Sequence, residues 1–308
     1  MLFVLVLLSW FIPPWIWSVP MGVSLFWPYV GGFLLLWGLW RDRAYWIFWG
    51  ALGANWVFMV SFLWQLVPSG EVDGEKVRVG TFNMDGAHYD RKQIERLIDS
   101  LGRWHPQVLC MQEVYLGDYS AATFARRMGY RHHVFLDAGR QMGMLVLSDF
   151  PVLSSATLTL LSGSTNGIQQ VQLLLPRKQT VSLYHVHFPS YRLGTFLAQN
   201  WAWFTSVWEF QRRFSLVLET ALSRTVDPVW ICGDFNAMPF HPLYRRLAFR
   251  LYDSFRSARI GEGPTWRYPF LRIDYIWSSM PVTGYKVRWI PRQSHGYVEV
   301  SIRTEGVK

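Results

Sequence analysis

The first 67 residues of this 308-residue chain carry only three ionisable acids or bases, Arg41, Asp42 and Arg43. A segment that apolar has almost nothing to turn toward water, so it cannot fold as an ordinary solvated domain. About 20 apolar residues cross a bilayer as a helix, and three such lengths fit here, 2 to 19, 22 to 40 and 44 to 66. Pro13-Pro14 would kink the first, Pro20 and Gly22 mark the first turn, and Arg41-Asp42-Arg43 marks the second. A cleavable leader would need a basic start and a small-x-small site before Pro20, and the sequence has neither. The arginines of the second turn favour the cytoplasm, which predicts a multi-pass cell-membrane protein with everything after residue 67 on the extracytoplasmic side. Ten of the 18 tryptophans fall in this segment; Trp27, Tyr29, Trp40, Tyr45 and Trp64 stand near the expected interfaces.

Residues 68–76 form a short polar linker with a flexible reach on the order of 15 to 18 Å. It would keep the domain at 77–308 near the lipid headgroups. Within that domain the pattern alternates between strand and helix. Arg91 to Arg103 spaces Ile94, Leu97, Ile98 and Leu101 as one helical stripe and stops at Trp104-His105-Pro106. Ser120 to Gly129 reads as a second helix, and strands are expected near 134–136, 143–148, 152–160, 168–175 and 180–187. Phe188 to Arg224 is the longest helical pattern. Its rings Trp201, Trp203, Phe204 and Trp208 cover too wide an arc for one buried stripe, so some of that surface is expected at the bilayer interface or on the anchor. Strands flanked by helices suggest a layered α/β sandwich of two packed sheets with helices on both sides.

The formal charge of +9 includes only one unit from residues 41–43, so the remaining chain is basic and suited to polyanions: nucleic acid, phosphorylated substrates or an anionic membrane surface. No nucleic-acid module, repeat or low-complexity tract favours the first of these. Cys110 and Cys232 both sit in apolar runs, which predicts buried thiols, and no zinc spacing is present.

Chemistry-bearing side chains collect where the strands stop. Val229 to Cys232 is an apolar run ending in Gly233-Asp234-Phe235-Asn236 before Pro239. Asp234 and Asn236, two apart on extended backbone, point to one side while Phe235 points to the core. Asn83 and Asp85 end the alternating strand that begins at Val77, and Glu113 ends the run from Val108. His185 and His187 end Leu183-Tyr184-His185-Val186-His187-Phe188. Asp274 lies in Arg272-Ile273-Asp274-Tyr275-Ile276-Trp277, and Ser294-His295-Gly296 closes the series. Six strand ends with a carboxylate, amide or imidazole form a set that hydrogen-bonded turns alone do not account for.

In this order, FNMD, QE, HVH, GDFN, RIDYIW and a closing SH resemble the endonuclease/exonuclease/phosphatase superfamily, whose fold is a DNase I-like four-layer α/β/β/α sandwich. The strand Gly143 to Val152 also resembles the family's strand that ends in a Ser-x-x-Pro turn. The resemblance implies a phosphoester or pyrophosphate hydrolase using Mg2+ or Mn2+. It assigns Glu113 as the first metal ligand, with Asn83 and Asp85 completing or tuning that site. It gives Asp234 the attacking water, Asn236 the transition-state oxyanion, Asp274 the orientation of His295, and His187 the scissile phosphate. His185 stands where relatives carry Asn, and it joins Arg212 as a candidate for substrate binding. Ser294 departs from the family, which commonly has Asp there; the loss of that carboxylate weakens metal binding unless Asp85 supplies the charge. Three spans before such a domain resemble the VanJ-type teicoplanin-resistance membrane proteins. That implies a lipid-linked phosphate, undecaprenyl pyrophosphate or a phospholipid, as substrate at the outer leaflet. Nucleic acid is the alternative substrate, a non-catalytic phosphate-binding protein is a further one, and no protein partner is implied.

Overall fold

The computed structural model describes residues 74–86, 90–190, 201–239, 241–258, 263–267 and 271–304. The three predicted spans and most of the linker lie outside the described residues. Among the described residues no helix is long and apolar enough to cross a membrane.

Among the described residues, twelve strands and five α-helices follow in chain order. The first half contains β1 (Lys76–Asn83), α1 (Arg91–Trp104), β2 (Val108–Tyr115), α2 (Ala121–Arg127), β3 (His132–Gly139), β4 (Met142–Ser148), β5 (Val152–Leu160), β6 (Gly167–Leu174) and β7 (Thr180–His187). The second half contains α3 (Trp201–Arg224), β8 (Val229–Asp234), α4 (Pro242–Ala248), β9 (Tyr252–Asp253), α5 (Ser254–Ala258), β10 (Asp274–Ser278), β11 (Val282–Arg288) and β12 (Tyr297–Arg303). They build two six-stranded mixed sheets, one ordered β11-β12-β1-β2-β4-β3 and the other β5-β6-β7-β8-β10-β9.

Alternation along the strands decides what each face packs on. Val77, Val79, Cys110 and Val146 of the first sheet meet Val171, Leu183, Trp230, Cys232 and Ile276 of the second in one buried interior. Residues of opposite parity in the first sheet, Phe82, Leu109, Met111, Leu145 and Leu147, bury against Ile94, Leu97, Ile98 and Leu101 of α1 and Phe124 of α2. On the far side Tyr184, Val186, Ile231, Tyr275 and Trp277 bury against Phe214 and Leu218 of α3 and Leu243 and Leu247 of α4. These three cores between four layers give the α/β/β/α sandwich.

Local signals set the ends. The side chain of Asp90 accepts from Gln93 N at 2.8 Å while Gln93 Oε1 accepts from Asp90 N at 2.9 Å, a reciprocal cap that starts α1. His105, at φ 37° before Pro106, stops it. The expected strand from Arg272 begins two residues later, at Asp274, because the Ile273 and Asp274 amides are both bound by Thr265 Oγ1, at 3.1 and 3.0 Å. In α3, Trp208 is only 6% exposed and lies against the ring of His241 at 6.2 Å, so it is one of the buried rings of that arc. The side chains of Trp201, Trp203 and Phe204 lie outside the described residues. Both cysteines are free and buried.

The central pairs β1–β2 and β7–β8 are parallel, and β10 runs antiparallel to β8 with Asp274 opposite Asp234. The C-terminal ends of β1, β2, β7 and β8 and the N-terminal end of β10 therefore open at the same edge of the sandwich.

Candidate active site

At that edge the backbone bends sharply. Gly233, at φ 145°, lies so close to β7 that a Cβ would stand 1.9 Å from Val186 O, so only glycine lets β8 pass there and deliver Asp234. Asp85, Glu113 and Asn236 all take the left-handed region, at φ 49°, 49° and 46°. Asp and Asn tolerate it, but for Glu113 it costs about 1 kcal/mol or more. The β2–β4 register shifts between Met111 and Val114, so Glu113 occupies a bulge that re-aims its carboxylate.

The side chains converge. Asn83 Nδ2 donates to Asp234 Oδ2 at 3.0 Å and, more weakly, to Glu113 Oε1 at 3.4 Å, linking the two sheets. His187 Nε2 lies 3.3 Å from Glu113 Oε1, and its Nδ1 is 3.1 Å from Thr165 O. Asn236 places its backbone N–H 2.7 Å from Asp234 Oδ1 and its amide 3.2 Å from Asp234 Oδ2 and 2.9 Å from Phe188 O. His295 holds Nδ1 3.1 Å from Asp274 Oδ2, while its Nε2 stands 4.0 Å from Asp234 Oδ2. Asn83, His187, Asp234, Asp274 and His295 are buried, and Glu113 keeps 18% of its side chain open.

Packing this many charges together separates their proton affinities. Burial raises the Glu113 carboxyl, but the hydrogen bond and charge of His187, the Asn83 amide and the charge of His295 outweigh it, holding it at about 2. Asp234 is pushed up to about 6 by burial and then by the charge of Asp274, with His295, His187 and Asn83 pulling the other way. Burial disfavours the charged form of His295, yet the charge and hydrogen bond of Asp274, with Asp234 and Glu113, lift it to about 9. His187 rises for the same reason: burial opposes its charge, and Glu113, Asp234 and the Thr165 carbonyl outweigh it. These shifts favour the charged forms of His295 and His187 beside the ionised Glu113 carboxylate.

The remaining expected residues fall in different places. Asp85 sits at the exposed rim, where Ser294 Oγ donates to its Oδ2 at 3.1 Å, so serine and aspartate do face each other there. His185 is fully buried one strand repeat below His187; Gln112 Nε2 lies 2.7 Å from its Nε2, and its Nδ1 has no partner among the described residues. Burial, and then the charge of His187, hold it down at about 3, so it stands as a neutral strut between the sheets. Arg212 stands on α3 with its guanidinium on Glu209, at 2.8 and 2.9 Å, and not in the cluster.

Three residues matter that the sequence does not single out. Thr265 Oγ1 fixes the start of β10, Thr165 fixes His187, and Gln112 ties the bulge at Glu113 to β7. A threonine in a loop has no distinguishing spacing. Gln112 stands inside the QE motif, where its neighbour Glu113 draws attention instead.

Glu113, Asn83 and Asp85 offer hard oxygens of the kind Mg2+ and Mn2+ take. Asp234, Asp274 and His295 also bring ligand atoms within 4.8 Å of one another. The carboxylates gathered here, with Asp85 added at the rim, complement one divalent cation. His295 Nδ1 is already committed to Asp274, so the oxygens are the better ligands.

The chain matches the model of the Endonuclease/Exonuclease/phosphatase family over residues 80–294. No curated protein matches it. Among solved structures, the endonuclease/exonuclease/phosphatase from Beutenbergia cavernae aligns with a TM-score of 0.58 and 19% identity over 74% of this chain and 71% of that one. The endonuclease/exonuclease/phosphatase from Bacteroides vulgatus aligns with a TM-score of 0.58 and 15% identity over 75% of this chain and 100% of that one. The 3′ phosphatase NExo from Neisseria, bound to product DNA hairpin, aligns with a TM-score of 0.55 and 17% identity over 73% and 99%. At these identities the likeness establishes the fold.

Proposed function

The chain belongs to the endonuclease/exonuclease/phosphatase family, and we propose that it is a membrane-anchored, divalent-metal-dependent phosphohydrolase acting on a lipid-linked phosphate at the outer face of the membrane. The observation that carries the hydrolase is the convergence of Asn83, Glu113, His187, Asp234, Asn236, Asp274 and His295 from both sheets on one centre. The lipid substrate rests on the apolar first 67 residues, whose short tether would hold the mouth at headgroup height and raise the local concentration of lipid phosphates.

In this reading Asp234, oriented by Asn83 and Asn236, accepts a proton from water. The water oxygen attacks phosphorus as the P–O bond to the leaving group breaks. The Asn236 amide and the imidazolium groups of His187 and His295 stabilise the charge that develops on the phosphoryl oxygens. Asp274 keeps His295 charged and aimed. A divalent cation held by Glu113, Asn83 and Asp85 would supply further neutralisation of the phosphate.

The test is a substrate panel on the full-length protein in detergent with Mg2+: undecaprenyl pyrophosphate, a phospholipid and supercoiled plasmid. Phosphate release from the lipid, abolished by EDTA and by Asp234→Ala, is the expected result. Plasmid nicking without lipid turnover would make the protein a tethered nuclease, and tight lipid binding without turnover would make it a receptor.

A further inference from the structure

Arg267 takes no part in the charge pairs of the cluster, yet it is fixed beside it. Its backbone N–H donates to Ser294 O at 2.8 Å, and Gly296 N donates to Thr265 O at 2.7 Å. Between these bonds Trp266 and His295 form a bridge, so residues 265–267 run antiparallel to 294–296. The same short segment thus holds Asp274 through the Thr265 hydroxyl and carries an arginine next to the site histidine.

The guanidinium of Arg267 lies over the Trp289 ring, 5.1 Å from its centre. Trp289 is itself seated against Gly296, with its Cε2 3.5 Å from where a Cβ on that glycine would stand. An aromatic face orients a guanidinium without occupying its N–H donors, which stay in the plane of the fork. Other arginines of the domain are spent on carboxylates: Arg127 on Glu95, Arg212 on Glu209, Arg246 on Glu219 and Arg272 on Asp253. Among the described residues no carboxylate lies within ion-pair distance of Arg267.

We infer that Arg267, steadied by Trp289, is a second anion-binding position beside the hydrolytic centre. It takes the phosphate or other anionic group that neighbours the one being cleaved. This deepens the proposed function and rests on it, because the centre must bind the first phosphate for the second to be presented. A planar fork matches two phosphate oxygens, so the position favours a diphosphate over a substrate with one isolated phosphate.

The experiment uses the full-length protein in detergent with EDTA present, and titrates inorganic pyrophosphate and orthophosphate by calorimetry. Wild type is expected to bind pyrophosphate about tenfold or more tightly than orthophosphate. Arg267→Gln should erase that preference, and Arg267→Lys should keep only part of it, since an ammonium retains charge without the fork. Trp289→Leu should weaken pyrophosphate binding by a few fold through loss of the ring. Unchanged unfolding temperatures separate these effects from misfolding. An Arg267→Gln protein that retains the wild-type preference would overturn the inference, as would a wild type that binds both anions equally. Binding is read without turnover, so a protein that fails the substrate panel but shows the Arg267-dependent preference disproves hydrolysis and leaves this position standing.

Discussion

Replacing Arg272 with methionine should cost the domain several kcal/mol, and the structure says why. Arg272 is 7% exposed and sits two residues before Asp274. Its guanidinium forks onto Asp253 at 2.8 and 3.1 Å and donates to Tyr244 Oη at 3.1 Å. The rings of Phe255, Tyr275 and Tyr244 surround it at 4.6, 4.9 and 5.6 Å. Burial opposes this charge, but Asp253 and the tyrosines outweigh it and raise the group well above its ordinary value. Methionine fills much of the volume and removes the cation. Asp253, itself 4% exposed, would keep the Phe255 amide and the Tyr244 hydroxyl but lose both guanidinium bonds. Stranding a buried carboxylate in this way costs about 3–5 kcal/mol. For a domain of this size that is a fall of about 6–20 °C in Tm. Near-ultraviolet circular dichroism of the full-length protein in detergent measures it. Adding Asp253→Asn removes the stranded charge and should recover at least half the loss, because the pair is coupled. A fall of less than about 3 °C, or a double variant no better than the single, would refute the reasoning.

Three further outcomes follow from other parts of the structure. His241 is held at about 3 by burial and then by Arg246, so its neutral form stabilises the fold above an unfolded value near 6.5 and that stability is lost as pH falls toward 3. His241→Asn keeps a good cap for α4 and should narrow the stability gap between pH 7 and pH 5 by about 2 kcal/mol; an unchanged gap in urea unfolding contradicts the assignment. Gly233→Ala should cost about 4 kcal/mol or more, since its Cβ would strike the Val186 carbonyl, and a soluble variant with the wild-type Tm would disprove that close approach. Asp274→Asn should lower phosphohydrolase kcat about 100-fold or more, and adding His295→Gln should cost little beyond that, as the two act as a unit; additive losses in steady-state assays would separate them.

Much of the site could be read in the sequence because its side chains stand where strand alternation stops, and a strand end is one of the few places where a run of apolar residues announces a polar neighbour. Asp234 and Asn236, two apart after Gly233, do meet, but through a turn in which Asn236 takes the left-handed region and its N–H bonds Asp234 Oδ1, and not through the extended alternation the sequence suggests. Strand parity is also silent about depth. His185 and His187 share a face, and only the packing of Gln112 between the sheets decides that one faces Glu113 and the other lies sealed beneath it. Arg212 could have been read from Glu209 three residues earlier, a helical spacing that favours a surface ion pair. The last sheet edge was harder. In β11 the alternation is interrupted by a register shift between Val282 and Gly284, so its pairing with β12 follows from tertiary contact and not from periodicity. Trp208 shows the limit for helices: this one ring of the aromatic arc packs against His241 from the loop after β8, a neighbour no local pattern specifies.

The most direct measurement of the central claim is Mn2+ binding to the full-length protein, followed by electron paramagnetic resonance and compared with Glu113→Gln. That substitution keeps the size of the side chain and its Asn83 and His187 neighbours while removing the charge held down at about 2. A site at the convergence of the strand ends should lose at least about tenfold in affinity, competitively with Mg2+. Mn2+ affinity equal in the two proteins would contradict the account.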